Sequence, residues 1–190
     1  LIRKHNPLAN VPEFLESIGI EVDKPNGHAN GHDTIKSSLV ATYPYADENG
    51  EVLYEVLRFE PKTFRQRRYV DGKPVWGLGD TQPLPYRLPD ILNNPNKPIL
   101  IVEGEKDADT LANLGFVATC NSGGAGKFSD SLTPYFQGRD VIIIPDNDKA
   151  GDAHVRTVVS KLQGTAKRIK VVRLPVDDKG DVTDWVSTGG

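Results

Sequence analysis

Apolar residues change their rhythm about halfway along the chain. Between residues 38 and 80 they fall in short β-rich runs: Leu39-Val40-Ala41-Thr42-Tyr43-Pro44-Tyr45, Val52-Leu53-Tyr54-Glu55-Val56-Leu57-Arg58-Phe59, Phe64 to Val70, and Val75-Trp76-Gly77-Leu78. Asp47-Glu48-Asn49-Gly50 separates the first two runs and Asp71-Gly72-Lys73 the last two. Asn-Gly between β-rich runs is a strong hairpin signal, so this half predicts an antiparallel meander. From Pro98 onward the rhythm changes: Ile99-Leu100-Ile101-Val102 is a short continuous run, as expected of a strand buried on both faces, and Phe116 to Asn121, Val141-Ile142-Ile143-Ile144 and Ile169-Lys170-Val171-Val172-Arg173-Leu174 read as three further strands. Helical patterns lie between them, one through Ala108, Leu111, Ala112 and Leu114 up to Gly115, another through Ala153, Val155, Val158, Val159 and Leu162. Strands alternating with helices predict a four-stranded parallel sheet with right-handed crossovers.

Three segments follow from this pattern. Residues 1–36 carry a short helical stretch, Val11 to Ile18, with Pro12 suited to its first turn, and then the turn-rich linker Pro25 to Asp33. Residues 37–96 form the β-rich part and end in a proline-rich connection holding a short helix at Asp90-Ile91-Leu92. Residues 97–190 form the α/β domain.

Composition narrows the classes. Hydrophobic residues make up 37% of the 190, and no apolar run is long enough to cross a bilayer or serve as a signal peptide. The one cysteine, Cys120, excludes an internal disulfide and a Cys-rich zinc site in this fragment; it reads as a buried thiol, and the cytoplasm is the expected compartment. None of the four histidines reads as a ligand. A chain without methionine that starts at leucine is expected to be part of something longer. The net charge of −3 averages two unlike halves: Lys62 to Tyr69 is strongly basic, whereas acidic residues gather in loops after residue 100.

Those acids carry the candidate chemistry. In open parallel sheets ligands sit beyond the carboxyl ends of the strands, and those ends here bear Glu103, Gly123-Gly124, Asp146-Asn147-Asp148 and Asp177-Asp178. Asp146 and Asp148, two apart, point the same way on an extended backbone, and like charges held so close call for a cation. Mg²⁺ takes one or two carboxylates plus phosphates and water. A cap on the next helix would account for one of the two aspartates and leave the other unexplained. Asp107, four residues after Glu103, can reach the same cluster. Ser122-Gly123-Gly124-Ala125-Gly126 with Lys127 could cradle a phosphate on backbone N–H groups, although it does not match the Walker pattern. Lys62, Arg65, Arg67 and Arg68 suit a nucleic-acid backbone, with Phe64, Tyr69 and Trp76 available for stacking; a solvated basic face is the plainer alternative.

Together, Glu103-Gly104-Glu105-Lys106-Asp107-Ala108 and Asp146-Asn147-Asp148-Lys149-Ala150-Gly151 resemble the Toprim domain, in particular its primase branch. Lys179-Gly180-Asp181-Val182-Thr183-Asp184-Trp185 is similar to the segment after the last Toprim strand in phage and plasmid primases and primase-helicases, and Arg58 to Arg68 matches more loosely what precedes the domain there. The resemblance, over residues 97 to 187, implies a Toprim (Rossmann-like) α/β fold with flanking helices behind a small antiparallel β subdomain. It implies Glu103 as general acid/base or metal-proximal carboxylate, Asp146 and Asp148 as ligands of Mg²⁺ or Mn²⁺, and Asp107 and Asp181 as supporting ligands. The reaction implied is primer synthesis from ribonucleoside triphosphates on a single-stranded DNA template, with a replicative helicase fused or separate as partner. A Toprim nuclease and a non-catalytic RecR-like recruitment module are the competing readings. A plain Rossmann nucleotide-binding domain is disfavoured, because no Gly-x-Gly-x-x-Gly follows the first strand of the α/β part.

Overall fold

In the computed structural model, which describes residues 37–190, the chain forms two four-stranded sheets. The expected helix and linker of residues 1–36 lie outside the described residues. The first sheet is an antiparallel meander of β1 (Ser38–Ala46), β2 (Val52–Glu60), β3 (Thr63–Val70) and β4 (Lys73–Trp76), in that order. Its first turn is tied by Asp47, whose Oδ1 accepts from the backbone N–H groups of Asn49 and Glu51, both at 2.9 Å. Strand alternation gives the sheet two faces. Tyr54, Val56 and Arg58 share one with Arg68, Gln66 and Phe64, their partners on β3, while Glu55 and Leu57 share the other with Arg67 and Arg65.

The second sheet is parallel: β5 (Ile99–Ile101), β6 (Val117–Thr119), β7 (Asp140–Ile143) and β8 (Arg168–Val171), in the order β6-β5-β7-β8. Backbone pairing runs one residue beyond three of these strands: Val102, Ile144 and Val172 donate to Thr119, Ile101 and Ile143 at 2.9–3.0 Å. Among the described residues four helices accompany the strands: α1 (Leu88–Asn93), α2 (Glu105–Asn113), α3 (Lys149–Leu162) and α4 (Val182–Ser187). As the apolar spacing predicts, α2 buries Ala108 and Leu111, and α3 buries Val158 and Leu162, whereas Leu114 at the end of α2 and Ala153 in the first turns of α3 are exposed. A 3₁₀ helix, Asp130–Phe136, buries Leu132 and Phe136 around an internal Pro134. Neither it nor α4 follows from apolar periodicity, because both are too short to show one.

Side chains of β5 alternate between two cores. Ile99 and Ile101 pack with Val141, Ile143, Val158, Leu162, Phe136 and Ile91. Leu100 and Val102 pack on the other face with Ala108, Leu111, Cys120 and four tyrosines, Tyr43, Tyr45, Tyr54 and Tyr86. Tyr43, Tyr45 and Tyr54 belong to β1 and β2, so the antiparallel sheet and the parallel sheet share this core. The connection between the sheets packs with the α/β part: Leu84, Tyr86 and Leu88 join the tyrosine core, and the Tyr86 N–H donates to the Cys120 carbonyl at 2.9 Å. Cys120 itself is a buried free thiol. Among the described residues no helix is long and apolar enough to cross a membrane.

Tyr45 ties the antiparallel sheet to the start of α2. It is fully buried, stacks on Tyr54 with centroids 4.6 Å apart, and donates its hydroxyl to Glu105 Oε1 at 2.8 Å. Burial pushes the Glu105 carboxyl above its ordinary range, and the Tyr45 hydrogen bond works against that rise. Tyr45→Phe removes the donor and keeps the ring, and it should cost about 1–3 kcal/mol in urea unfolding, the usual penalty for a buried polar group deprived of its partner.

Candidate active site

The strand order reverses between β5 and β7, and in sheets of this kind the crevice at such a switch point is where ligands sit. Glu103 follows β5 and Asp146 follows β7, so both lie there. Together with Asp107, Asp181 and the Gly123-Gly124 turn they line a cavity of about 480 Å³. Its opposite wall is the antiparallel sheet, which contributes Tyr43, Val56, Arg58, Phe64 and Gln66, with Lys62 from the turn after β2. Acid therefore faces base across the cleft.

Each acid but one has its own donor. Asp148 is the N-cap of α3, its Oδ1 accepting from the Gly151 N–H at 2.8 Å. Glu103 Oε1 accepts from the Asp146 backbone N–H at 3.2 Å. Asp107 Oδ1 accepts from both the N–H and the hydroxyl of Thr183, at 3.0 and 2.6 Å. Asp181 caps α4 in a reciprocal box with Asp184 and pairs with Lys106 at 2.6 Å. The carboxylate of Asp146 accepts no hydrogen bond among the described residues, although its backbone N–H serves Glu103. Burial, and after it the charges of Glu103, Asp107, Asp181 and Asp148, push the Asp146 carboxyl up to about 7.

The neighbouring groups respond as their partners dictate. Glu103 is raised by burial and by Asp148 and Asp107, against the opposing Asp146 N–H. Asp107 is raised chiefly by burial, with the Thr183 bonds opposing. For Asp181 burial acts upward, but Lys106 and the backbone N–H groups of α4 outweigh it and hold the group below its ordinary value. Gly151 keeps the cluster tight: a Cβ there would overlap the Asp146 carbonyl oxygen and lie 2.7 Å from Glu103 Oε1.

Among the described residues no group of three or more His, Cys, Asp or Glu side chains stands close enough to hold a metal ion by itself. The donors are nevertheless oxygen atoms of the class a hard divalent ion takes, and Mg²⁺ draws much of its shell from phosphates and water. An unpartnered, half-buried carboxylate among four others fits such an ion as an open site.

The remaining expected residues divide. Gly123 and Gly124, at φ of 89° and 74°, line the cleft with Ala125, whereas Lys127 is exposed and Ser122 is buried, its hydroxyl accepting from Tyr54 at 3.4 Å. Of the four basic residues only Lys62 lines the cavity. Arg68 shares the cleft face but donates to the Gly77 carbonyl at 2.9 Å. Arg65 and Arg67 occupy the opposite face, Arg65 over the Trp76 ring and Arg67 buried in an ion pair with Glu55 at 2.5 Å.

Several contributors fall outside the expected set. Arg58 lines the cleft with a buried Nε that has no hydrogen-bond partner among the described residues. Pairing of Val56 with Gln66 and of Arg58 with Phe64 sets which β3 residues face the acids, a register that the turn lengths alone leave open. Asn147, between the two aspartates, donates its side-chain amide to the Val176 and Asp177 carbonyls at 2.9 and 3.1 Å and so anchors the loop that delivers Asp181.

Residues 100–186 match a family model described as Toprim-like. No curated protein sequence matches the chain. Three solved structures share its fold. The E. coli primase catalytic core is 22% identical with a TM-score of 0.58, over 93% of this chain and 55% of that one. The DnaG primase catalytic domain bound to single-stranded DNA is 22% identical with a TM-score of 0.59, over 78% and 48%. The primase fragment of the bacteriophage T7 primase-helicase is 19% identical with a TM-score of 0.51, over 83% and 61%. The chain thus spans about half to three-fifths of these proteins. The parallel half of the chain is a Toprim-domain fold, and the chain as a whole resembles the catalytic cores of primases and primase-helicases.

Proposed function

We propose that this chain is the catalytic-core portion of a DNA primase or primase-helicase, joining ribonucleotides on a single-stranded DNA template in a reaction dependent on Mg²⁺ or Mn²⁺. The observation that carries this reading is the Asp146 carboxylate, left without a donor in an acidic crevice that faces Arg58 and Lys62. The proteins whose fold it shares act as primases, one of them bound to single-stranded DNA. Asp146 and the free oxygen of Asp148 would hold the ion, with Glu103 beside them. Once bound, it would offset the charge of a triphosphate and of the attacking and leaving oxygens.

The chain's own groups supply the rest. Arg58 and Lys62 receive the phosphates from the opposite wall, and Arg58 gains there the partner its Nε lacks. The Gly123-Gly124 turn, at positive φ and without side chains, lets a phosphate approach the backbone. Glu103, raised by burial, is suited to take a proton from a ribose hydroxyl. Phe64, 45% exposed at the rim, offers a ring on which a base can stack. Asp107 and Asp181 complete the acidic wall.

Labelled single-stranded template, ribonucleoside triphosphates and Mn²⁺ test the reading directly. Oligomers longer than the monomers are expected, and a shortened template would favour a nuclease instead. Asp146→Ala should lower synthesis by about 10²–10³-fold, the several kcal/mol that a catalytic ion supplies, while leaving DNA binding intact. Synthesis that survives this substitution would overturn the assignment.

Stability carries a second signature. The folded chain holds the Asp146 proton more tightly than the unfolded chain does. Its contribution to stability is therefore present at low pH and is lost as pH rises from about 4, the ordinary aspartate value, to about 7. Metal-free protein should melt at progressively lower temperature across that window, and Asp146→Asn should flatten the slope relative to wild type. Mg²⁺ added above the window should raise the wild-type Tm and leave that of Asp146→Asn nearly unchanged.

A further inference from the structure

Among the described residues, Lys106 is the one cation placed inside the acidic wall. It belongs to the first turn of α2, lines the same cavity as Glu103 and Asp146, and puts its Nζ 2.6 Å from Asp181 Oδ2. Asp107 and Asp181, which as bare carboxylates would be candidates for a second ion, are already committed. Asp107 gives Oδ1 to Thr183, whose hydroxyl also meets Thr110 at 3.0 Å. Asp181 gives Oδ1 to the Asp184 N–H at 2.8 Å and Oδ2 to Lys106. These bonds fasten α2 to α4; Asp181 could become a ligand only by giving up Lys106 or its cap, and the one oxygen left on Asp107 lies in the field of the Lys106 charge. On the other side of the crevice Asp146 has nothing to give up. The wall is thus divided into a neutralised half and a bare half.

We propose that Lys106 is a resident cation that replaces a second divalent ion on the Asp107–Asp181 side, leaving the crevice a single exchangeable ion at Asp146. This rests on the metal-dependent reading above. An ammonium is compact, carries three donors and cannot be lost to a chelator. Placed beside Asp181, it repels a divalent ion from the same carboxylates and still offers donors toward the cleft. The number of ion sites is then set by the protein.

Counting bound Mn²⁺ by electron paramagnetic resonance, on the whole chain and without nucleotide, tests this. Wild type should bind about one ion per chain, and Asp146→Asn should abolish that binding. Lys106→Met, which keeps the stem and removes the charge, should bind two, whereas Lys106→Arg should remain at one. Lys106 is partly exposed, and thermal melts establish that each variant is folded; should Lys106→Met not fold, Lys106→Gln takes its place. Two ions in wild type, or one in the charge-removing variant, overturn the proposal while leaving the metal-dependent reading in place. Absence of any bound Mn²⁺ in wild type overturns this proposal, whereas the metal-dependent reading falls only if primer synthesis in the assay above proceeds equally well without a divalent ion.

Discussion

Mutual repulsion among the carboxylates at the carboxyl edge of the parallel sheet is the constraint from which the rest of this architecture can be understood. Glu103, Asp107, Asp146, Asp148 and Asp181 arrive from four separate segments, and each raises the cost of ionising its neighbours. The fold answers with a donor for every one of them but Asp146. Two helix starts supply backbone N–H groups to Asp148 and Asp181, Thr183 serves Asp107, Lys106 pairs with Asp181, and the chain next to Asp146 turns its own N–H to Glu103. Backbone donors and a positive charge stabilise carboxylates most where water is partly excluded. One carboxylate is left over, and it sits at the switch point of the sheet.

That arrangement needs a second wall, and the tyrosine core provides it. Tyr45 and Tyr54, stacked and buried between the sheets, fix the antiparallel meander against Leu100, Val102 and the start of α2. The Tyr45–Glu105 hydrogen bond acts at the residue that opens α2, two positions after Glu103. Packing and polar geometry thus converge on the same short stretch. Arg58 and Lys62 face the acids because β2 and its following turn are held in this register, so the opposition of charges across the cleft follows from aromatic packing well away from it.

Much of this is legible in the sequence. Continuous apolar runs with helical spacing between them determine the parallel sheet, and Asn49-Gly50 with Asp71-Gly72 determine the meander. The strand-end acids follow from reading where each apolar run stops. Less legible is anything that depends on which face of a strand meets what. Lys62 to Arg68 is a basic block in one dimension, yet the pleat sends Arg65 and Arg67 away from the cleft and gives Arg67 to Glu55. Arg58, set between Leu57 and Phe59 in an apolar strand, gives no sign of its role until register is known. The short helix α4 is marked only by its caps, Asp181 and Asp184, whose acidity reads equally well as ligand chemistry.

The Asp-x-Asp spacing shows how a motif divides into separate tasks once its hydrogen bonds are known. Asp148 starts a helix, Asn147 holds the loop that carries Asp181, and Asp146 is left open to the cleft. Capping engages one oxygen of Asp148, and the Asp146 carboxylate takes no part in it. The net charge of −3 can be resolved in the same way. An acidic total argues against binding a polyanion when the charge is spread over the surface. Here one group of acids gathers in the crevice, and the cleft's opposite wall presents Arg58 and Lys62. On the proposed reading, the acids of the crevice draw the ion, and the ion in turn makes that wall acceptable to phosphate.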